Sequence, residues 1–386
     1  MRYSSLTLFT TLGILSFTTS QAAEPFKPER ISVEKNISPG PNVFVLDQNW
    51  KGASTITVLS ADDLSTKGNI SDGLISQFTL SQDKKHLYTA SVYPKRIMSG
   101  PTEAVVQDFD IATLSQIKEM ETLPKMAQVA PSINSFQLSA EDKYAFVQNA
   151  TPAASVSVIS LATGRHLLEV PTPGCWGIYA SQQPGKFSSL CGDGTIASYQ
   201  IAADEKNYQA SKSEKLFDSD KDALFLAAQR DGDNLMFTSF TGNMVVVSDK
   251  AAKATLVEKF NYTDGVEGHW VPGGFQILAY NKPNNLMFVT MHPDGKEGSH
   301  KDAAKEVWGI DMAGHKVVTR FKVDNPVAVT VSATEQPQLF TLKDNEEGEG
   351  GTVTKYSFSN DKKFTAQQQG SVKGLGDFNL LLRVDN

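Results

Sequence analysis

Asp231-Gly232-Asp233-Asn234-Leu235-Met236-Phe237 runs from a set of turn-forming residues into an apolar stretch closed by an aromatic ring. Beginning 51 residues later (231 to 282), Lys282-Pro283-Asn284-Asn285-Leu286-Met287-Phe288 ends on the same Asn-Leu-Met-Phe. Once seen, the phrase recurs throughout the chain as Pro39 to Phe44, Asp83 to Tyr88, Glu141 to Phe146, Pro184 to Phe187 and Glu335 to Phe340. Seven rings therefore mark seven units: Phe44, Tyr88, Phe146, Phe187, Phe237, Phe288 and Phe340. Their spacing varies from 41 residues (Phe146 to Phe187) to 58 (Tyr88 to Phe146) and settles at 50 to 52 over the last three intervals. A repeat of that length suits a four-stranded propeller blade with extended loops.

The flanks of each ring fill in the blade. Short apolar runs precede it at Gln77–Leu80, Phe136–Leu138 and Gly274–Leu278. Alternating runs follow it at Ile56–Leu59, Val156–Ile159, Met244–Val247, Val307–Ile310 and Val353–Tyr356, and alternation of period two is the signature of a strand. A fourth, more polar run closes the unit at His166–Val170, Thr255–Phe260 and Lys316–Phe321, as expected of an outer edge facing water. Helical periodicity is nearly absent. The pattern predicts an all-β chain folded as a seven-bladed β-propeller with four antiparallel strands per blade. The first unit has a poor run before its ring, while Asp377–Val384 is a strand left over, so the C-terminal strand is expected to close the first blade.

The extreme N-terminus reads differently. Met1-Arg2 is a positive start, Leu6 to Phe17 a short apolar core broken by Thr and Gly, and Ser20-Gln21-Ala22 a small-residue cleavage site. Residues 1–22 are thus expected to be a signal peptide and 23–386 a single propeller domain, exported to the periplasm or outside the cell. Elsewhere no window is apolar enough for a membrane span. With 36 basic against 43 acidic residues and a net charge of −7, the chain lacks the basic stripe that nucleic acid requires.

Export gives the two cysteines, Cys175 and Cys191, a meaning. They are sixteen residues apart in an oxidising compartment, and a bridge closing such a loop contributes about 3 kcal/mol in the chain-entropy account. Two buried free thiols are the alternative. Motifs for a nucleophile elbow, a P-loop, a zincin helix or haem attachment are missing. Asp218-Ser219-Asp220-Lys221-Asp222 lacks the turn Gly and distal Glu of a calcium loop and reads as a solvated acidic loop. His292–His300 gathers two His and two carboxylates, but its Gly and Lys content suits a surface hairpin, so no metal site is assigned. Trp270 is expected to pack beneath a blade loop, and Asn345–Gly351 to form a solvated hairpin loop.

Several longer stretches carry a resemblance. Gln148–Ser155, Gly174-Cys175-Trp176 with Cys191-Gly192-Asp193-Gly194, Trp270–Gly274 and Met291–Lys301 together resemble the heavy chain of the tryptophan tryptophylquinone amine dehydrogenases, the aromatic amine type more than the methylamine type. The likeness covers nearly the whole exported chain. It implies a periplasmic propeller with an intrachain disulfide and no cofactor of its own. The quinone, and the catalytic Asp, belong to a separate small light chain, two of which join two heavy chains in a heterotetramer. Electrons then pass to a blue copper protein such as azurin or amicyanin. The resemblance also places Trp50, after Phe44–Asp47, where the family has an aromatic lining the substrate channel, commonly Phe; packing on its own blade is the alternative. No catalytic residue is expected in this chain. Two other readings stay open: an exported propeller that binds another protein or ligand through its loops, and a stand-alone propeller hydrolase using a metal in the central channel.

Overall fold

The computed structural model describes residues 34–386 except 98, 346, 347, 360 and 362; the expected signal peptide lies outside the described residues. Seven antiparallel sheets follow one another along the chain, all but the first with their strands in the order of the sequence from the innermost outward. Every ring that marked a repeat falls in the second strand of its blade and is buried. The reason is packing between blades: the described residues form seven apolar clusters, and each joins one blade to the next. Phe146 of blade 3 lies 5.0 Å from Phe187 of blade 4, a representative contact. Outer strands such as Tyr208–Lys212 and Ala366–Val372 are largely exposed and polar, as an open edge in water should be.

Blade 1 is the exception to chain order, and it closes the ring. Its innermost strand is Leu381–Val384, paired antiparallel with Asn42–Asp47. The regular strand is shorter than the sequence suggests because the preceding residues turn around Asp47. One oxygen of that carboxylate accepts the N–H groups of Asp377 and Phe378, each at 3.0 Å. Asn379 then donates to the carbonyls of Leu46 and Leu375 at 3.0 and 3.1 Å. A similar shift affects blade 6, where the run Gly274–Leu278 is mostly a detour and the inner strand proper is Leu278–Asn281. Gly274 takes φ 120°, and the N–H groups of Phe275 and Gln276 both turn to Val327 O. The Asn345–Gly351 loop is likewise only partly solvated: Gly351 is buried, its N–H bonded to Gly376 O at 2.9 Å.

Polar residues staple the blades where apolar contact runs out. Glutamines on the inner strands bond across to the next blade, as Gln229 does to Leu278 O at 2.8 Å. Lysines do the same farther out: Lys118 reaches Leu161 O at 2.7 Å, and the buried Lys186 reaches the carbonyls of Asp249 and Ala251. Burial holds the Lys186 ammonium below the usual lysine range. Bonds that satisfy a buried donor in this way avoid a desolvation cost of about 1–3 kcal/mol each.

Candidate functional site: an apolar upper face

Two classes of loop emerge on one side of the ring, here called the upper face: connections between second and third strands, and crossovers between blades. Upper ends of several inner strands carry bulges. In blade 5 the register slips between Leu224 and Ala228, in blade 4 between Trp176 and Tyr179, and in blade 2 between Leu74 and Gln77. A bulge re-aims side chains that a regular strand would direct sideways. Here it turns Leu226 outward, leaving it 38% exposed on an inner strand. Tyr179 fixes the bulge by donating its hydroxyl to Leu226 O at 2.9 Å. Burial of that phenol pushes its pKa far above the usual tyrosine range, so it is a donor at any accessible pH.

Leu226 stands between two hollows of about 400 and 450 Å³. Both are also walled by Trp176 and Leu224. The larger includes the bridged pair Cys175 and Cys191, directly opposite each other on the first two strands of blade 4. That bond pins the strand end from which Trp176 projects. The smaller extends beneath Phe225, Phe240 and Phe275 to the segment Val129–Ser132.

His300 forms part of the same wall, stacked on Phe240 with centroids 5.0 Å apart and planes 11° apart. The expected His292–His300 surface hairpin is exposed at its middle, at Asp294 and Lys296–Gly298, but its two histidines turn inward. His292 is buried, Nδ1 lying 2.9 Å from Pro293 O, and its ring fills the space a Cβ on Gly273 would need. Among the described residues no three of His, Cys, Asp and Glu converge as metal ligands. Asp222, at the end of the acidic loop whose Asp220 and Lys221 are exposed, accepts from Thr241 and Asn243 and holds the turn below Phe240.

Trp50 lies on this face, 44% exposed, in the loop between the second and third strands of blade 1. It lines neither apolar hollow. Its connection to them runs through Gln48, whose amide donates to Val129 O and Ser76 O, both at 3.0 Å. Gln77 holds the same segment from blade 2, accepting Ser132 N–H at 2.8 Å. Beneath the Trp50 loop, burial pushes the Asp72 carboxyl up, although the hydroxyls of Ser76 and Ser91 donate to it. Sequence reasoning missed Leu226 as a surface residue, and Leu224 and Phe240 as walls of a hollow. An apolar strand reads as core unless a bulge reveals otherwise.

Only one pair of tryptophans is in ring contact among the described residues, Trp270 and Trp308 at 5.6 Å. Trp308 is fully buried and its indole N–H donates to Glu306 at 2.8 Å. Arg320 covers both rings, at 5.0 and 4.4 Å, and is itself bound by Glu306. Trp270, expected to pack beneath a blade loop, is half-buried against its blade core, and Trp308 is closed to any substrate.

Comparison with known proteins agrees with this architecture. The solved dihydro-heme d1 dehydrogenase NirN superposes with a TM-score of 0.53 at 11% identity, over 93% of this chain and 77% of that one, a likeness of fold alone. The methylamine dehydrogenase heavy chain of Methylobacillus flagellatus is 22% identical over 357 residues, 90% of this chain and 86% of its own length. That of Methylophilus methylotrophus is 21% identical over 313 residues, 80% of this chain and 76% of its own. The sequence pattern described as methylamine dehydrogenase heavy chain matches residues 40–378, from the entry into blade 1 to the turn before its closing strand. The chain belongs to the methylamine dehydrogenase heavy chain family.

Proposed function

We propose that this chain is the large subunit of a periplasmic quinoprotein amine dehydrogenase and that it holds a small light chain against its upper face. Family membership over nearly the whole propeller is the observation that carries this reading. Apolar hollows of this size on an exposed face suit a protein partner, because contiguous apolar surface in water marks interaction sites. Tryptophan tryptophylquinone is assigned to the light chain. The residues here do not fit it, since in the one close indole pair among the described residues Trp308 is fully buried and Arg320 lies over both rings. In the assembled heterotetramer of two heavy and two light chains, a primary amine and water give an aldehyde and ammonia. The two electrons released pass to a blue copper acceptor such as azurin or amicyanin.

The test is direct. The purified single chain is expected to fold as a β-protein and to show no dye-linked amine oxidation, while co-production with its light chain and maturation enzymes yields turnover. Amine oxidation by the rigorously purified single chain would end the subunit reading.

Aromatic amines are the substrates this reading favours, through Trp50. Its exposed indole offers a flat face at the rim, and aromatic contacts contribute about 0.5–1.5 kcal/mol beyond area burial. Trp50→Ala in the assembled complex is therefore expected to lower kcat/KM for benzyl and phenethyl amines relative to short alkyl amines by about three- to tenfold. Size-exclusion profiles should be unchanged. Equal selectivity in the two complexes would remove Trp50 from the substrate path.

A further inference from the structure

The opposite end of the propeller axis has a different chemistry. Inner strands from six of the seven blades contribute to an axial hollow of about 230 Å³ at the lower face, where first and second strands are joined by turns. Its walls are mainly polar, with Gln137, Gln229 and Thr330 among them. Three cations line it: Arg230, Lys84 and Arg383.

Arg230 is accounted for. Its two terminal nitrogens grip both oxygens of the fully buried Asp249, at 3.0 and 2.7 Å. The other two are not matched in this way. Arg383 forms no ion pair among the described residues, and its buried Nε has no hydrogen-bond partner; an aromatic face, Phe78 at 5.9 Å, is its one cation contact. Lys84 sits in the turn between the first two strands of blade 2 and likewise makes no ion pair there.

Nearby carboxylates are mostly engaged elsewhere. Asp385 accepts the backbone and side-chain N–H groups of Asn42 at 2.7 and 2.6 Å. Asp231 pairs with Lys282 at 2.9 Å, Asp83 accepts from Ser81 and Lys85, and Asp142 accepts Gln82 N–H at 2.8 Å through one oxygen while its other, buried oxygen has no hydrogen-bond partner. His86 faces Asp108 at 2.8 Å. Asp385 and Asp142 still attract Lys84 across space, yet burial and the neighbouring guanidinium together hold its ammonium below the ordinary lysine range. Desolvation likewise pushes Arg383 down to about 10. Lys84 stands exposed at the rim of this polar hollow and Arg383 is half-buried in its wall, and two like charges so placed repel one another unless an anion joins them.

We propose that the lower mouth of the axial channel is a binding site for a small oxyanion, held between Arg383 and Lys84. Arg383 supplies a planar fork matched to carboxylate or phosphate oxygens, and Lys84 a mobile point charge on the other side. The hollow has room for an anion of a few heavy atoms. This site is independent of the upper face and of the amine dehydrogenase reading.

Titration of the full chain with inorganic phosphate and with malonate, at fixed ionic strength by calorimetry, tests it. Saturable one-to-one binding is expected for at least one probe, and which of them binds tighter distinguishes a phosphate from a carboxylate ligand. Lys84→Asn suits the left-handed backbone at that turn, φ 59°, and should weaken binding at least tenfold with the fold intact. Arg383→Gln should do the same. If the Arg383 variant does not fold, the Lys84 variant alone decides. No saturable binding of either probe to the wild-type chain, or equal affinity in Lys84→Asn, overturns the proposal.

Discussion

Leu226→Asp should abolish assembly with the light chain while leaving the isolated propeller unharmed. In the free chain this side chain is already 38% exposed, so a carboxylate there meets water and stability should change by no more than about 0.5 kcal/mol. In the complex the same position, between two apolar hollows, would bring an unpaired charge into a desolvated contact. Truncating or mismatching such a buried contact costs about 2–5 kcal/mol, which corresponds to a loss of affinity of roughly thirty- to several thousand-fold. Titration of the light chain against the two heavy chains should show that loss, and dye-linked turnover at micromolar protein should fall with it. Leu256→Asp provides the control. That residue is 46% exposed on the outer strand of blade 5, remote from the upper hollows, and its substitution should leave assembly untouched. Wild-type affinity in Leu226→Asp would show that the light chain sits elsewhere on the propeller.

Much of the architecture is readable from the residues because one physical requirement repeats. Each blade must place a large ring in its second strand to fill the space against its neighbour, so Phe44 and the six rings after it mark the period directly. Closure is readable for a related reason, since an unpaired apolar run at the C-terminus needs a sheet and only blade 1 lacks a strand. What alternation cannot reveal is local departure from it. Leu226 belongs to an ordinary apolar run, and only the register slip shows that it faces outward. His292 and His300 sit in a stretch rich in Gly and Lys, yet tertiary contacts with Gly273 and Phe240 bury one and stack the other. Similarly, nothing in the surrounding sequence shows that Arg383 and Lys84, 299 positions apart (84 to 383), line one hollow. Cys175 and Cys191 were legible as a pair because the sequence has two cysteines and one possible bridge, and the strands place them directly opposite.

Gln276 also escaped the sequence reading, and it should prove one of the most costly polar residues to remove. It lies in the irregular stretch of blade 6, and its amide spans the closure. Nε2 donates to Val329 O of blade 7 and to Leu382 O of the closing strand, both at 2.9 Å, while Oε1 accepts Leu382 N–H at 3.3 Å. One side chain thus ties three blades together where the ends of the chain meet. Gln276→Ala removes all three bonds and strands the Leu382 amide in a buried strand, at a cost of about 3 kcal/mol. The thermal midpoint should drop by about 5 °C, since larger chains lose fewer degrees for each kcal/mol. Gln229→Ala is the comparison, because that amide makes a single bond to one neighbouring blade and should cost about a third as much. Hydrogen exchange gives the mechanism its own readout. If Gln276 holds the ring shut, amides of Leu381 and Leu382 should exchange faster in the variant while those of blade 4 do not. A uniform change across all blades, or a loss no greater than that of Gln229→Ala, would show that closure rests on strand pairing alone.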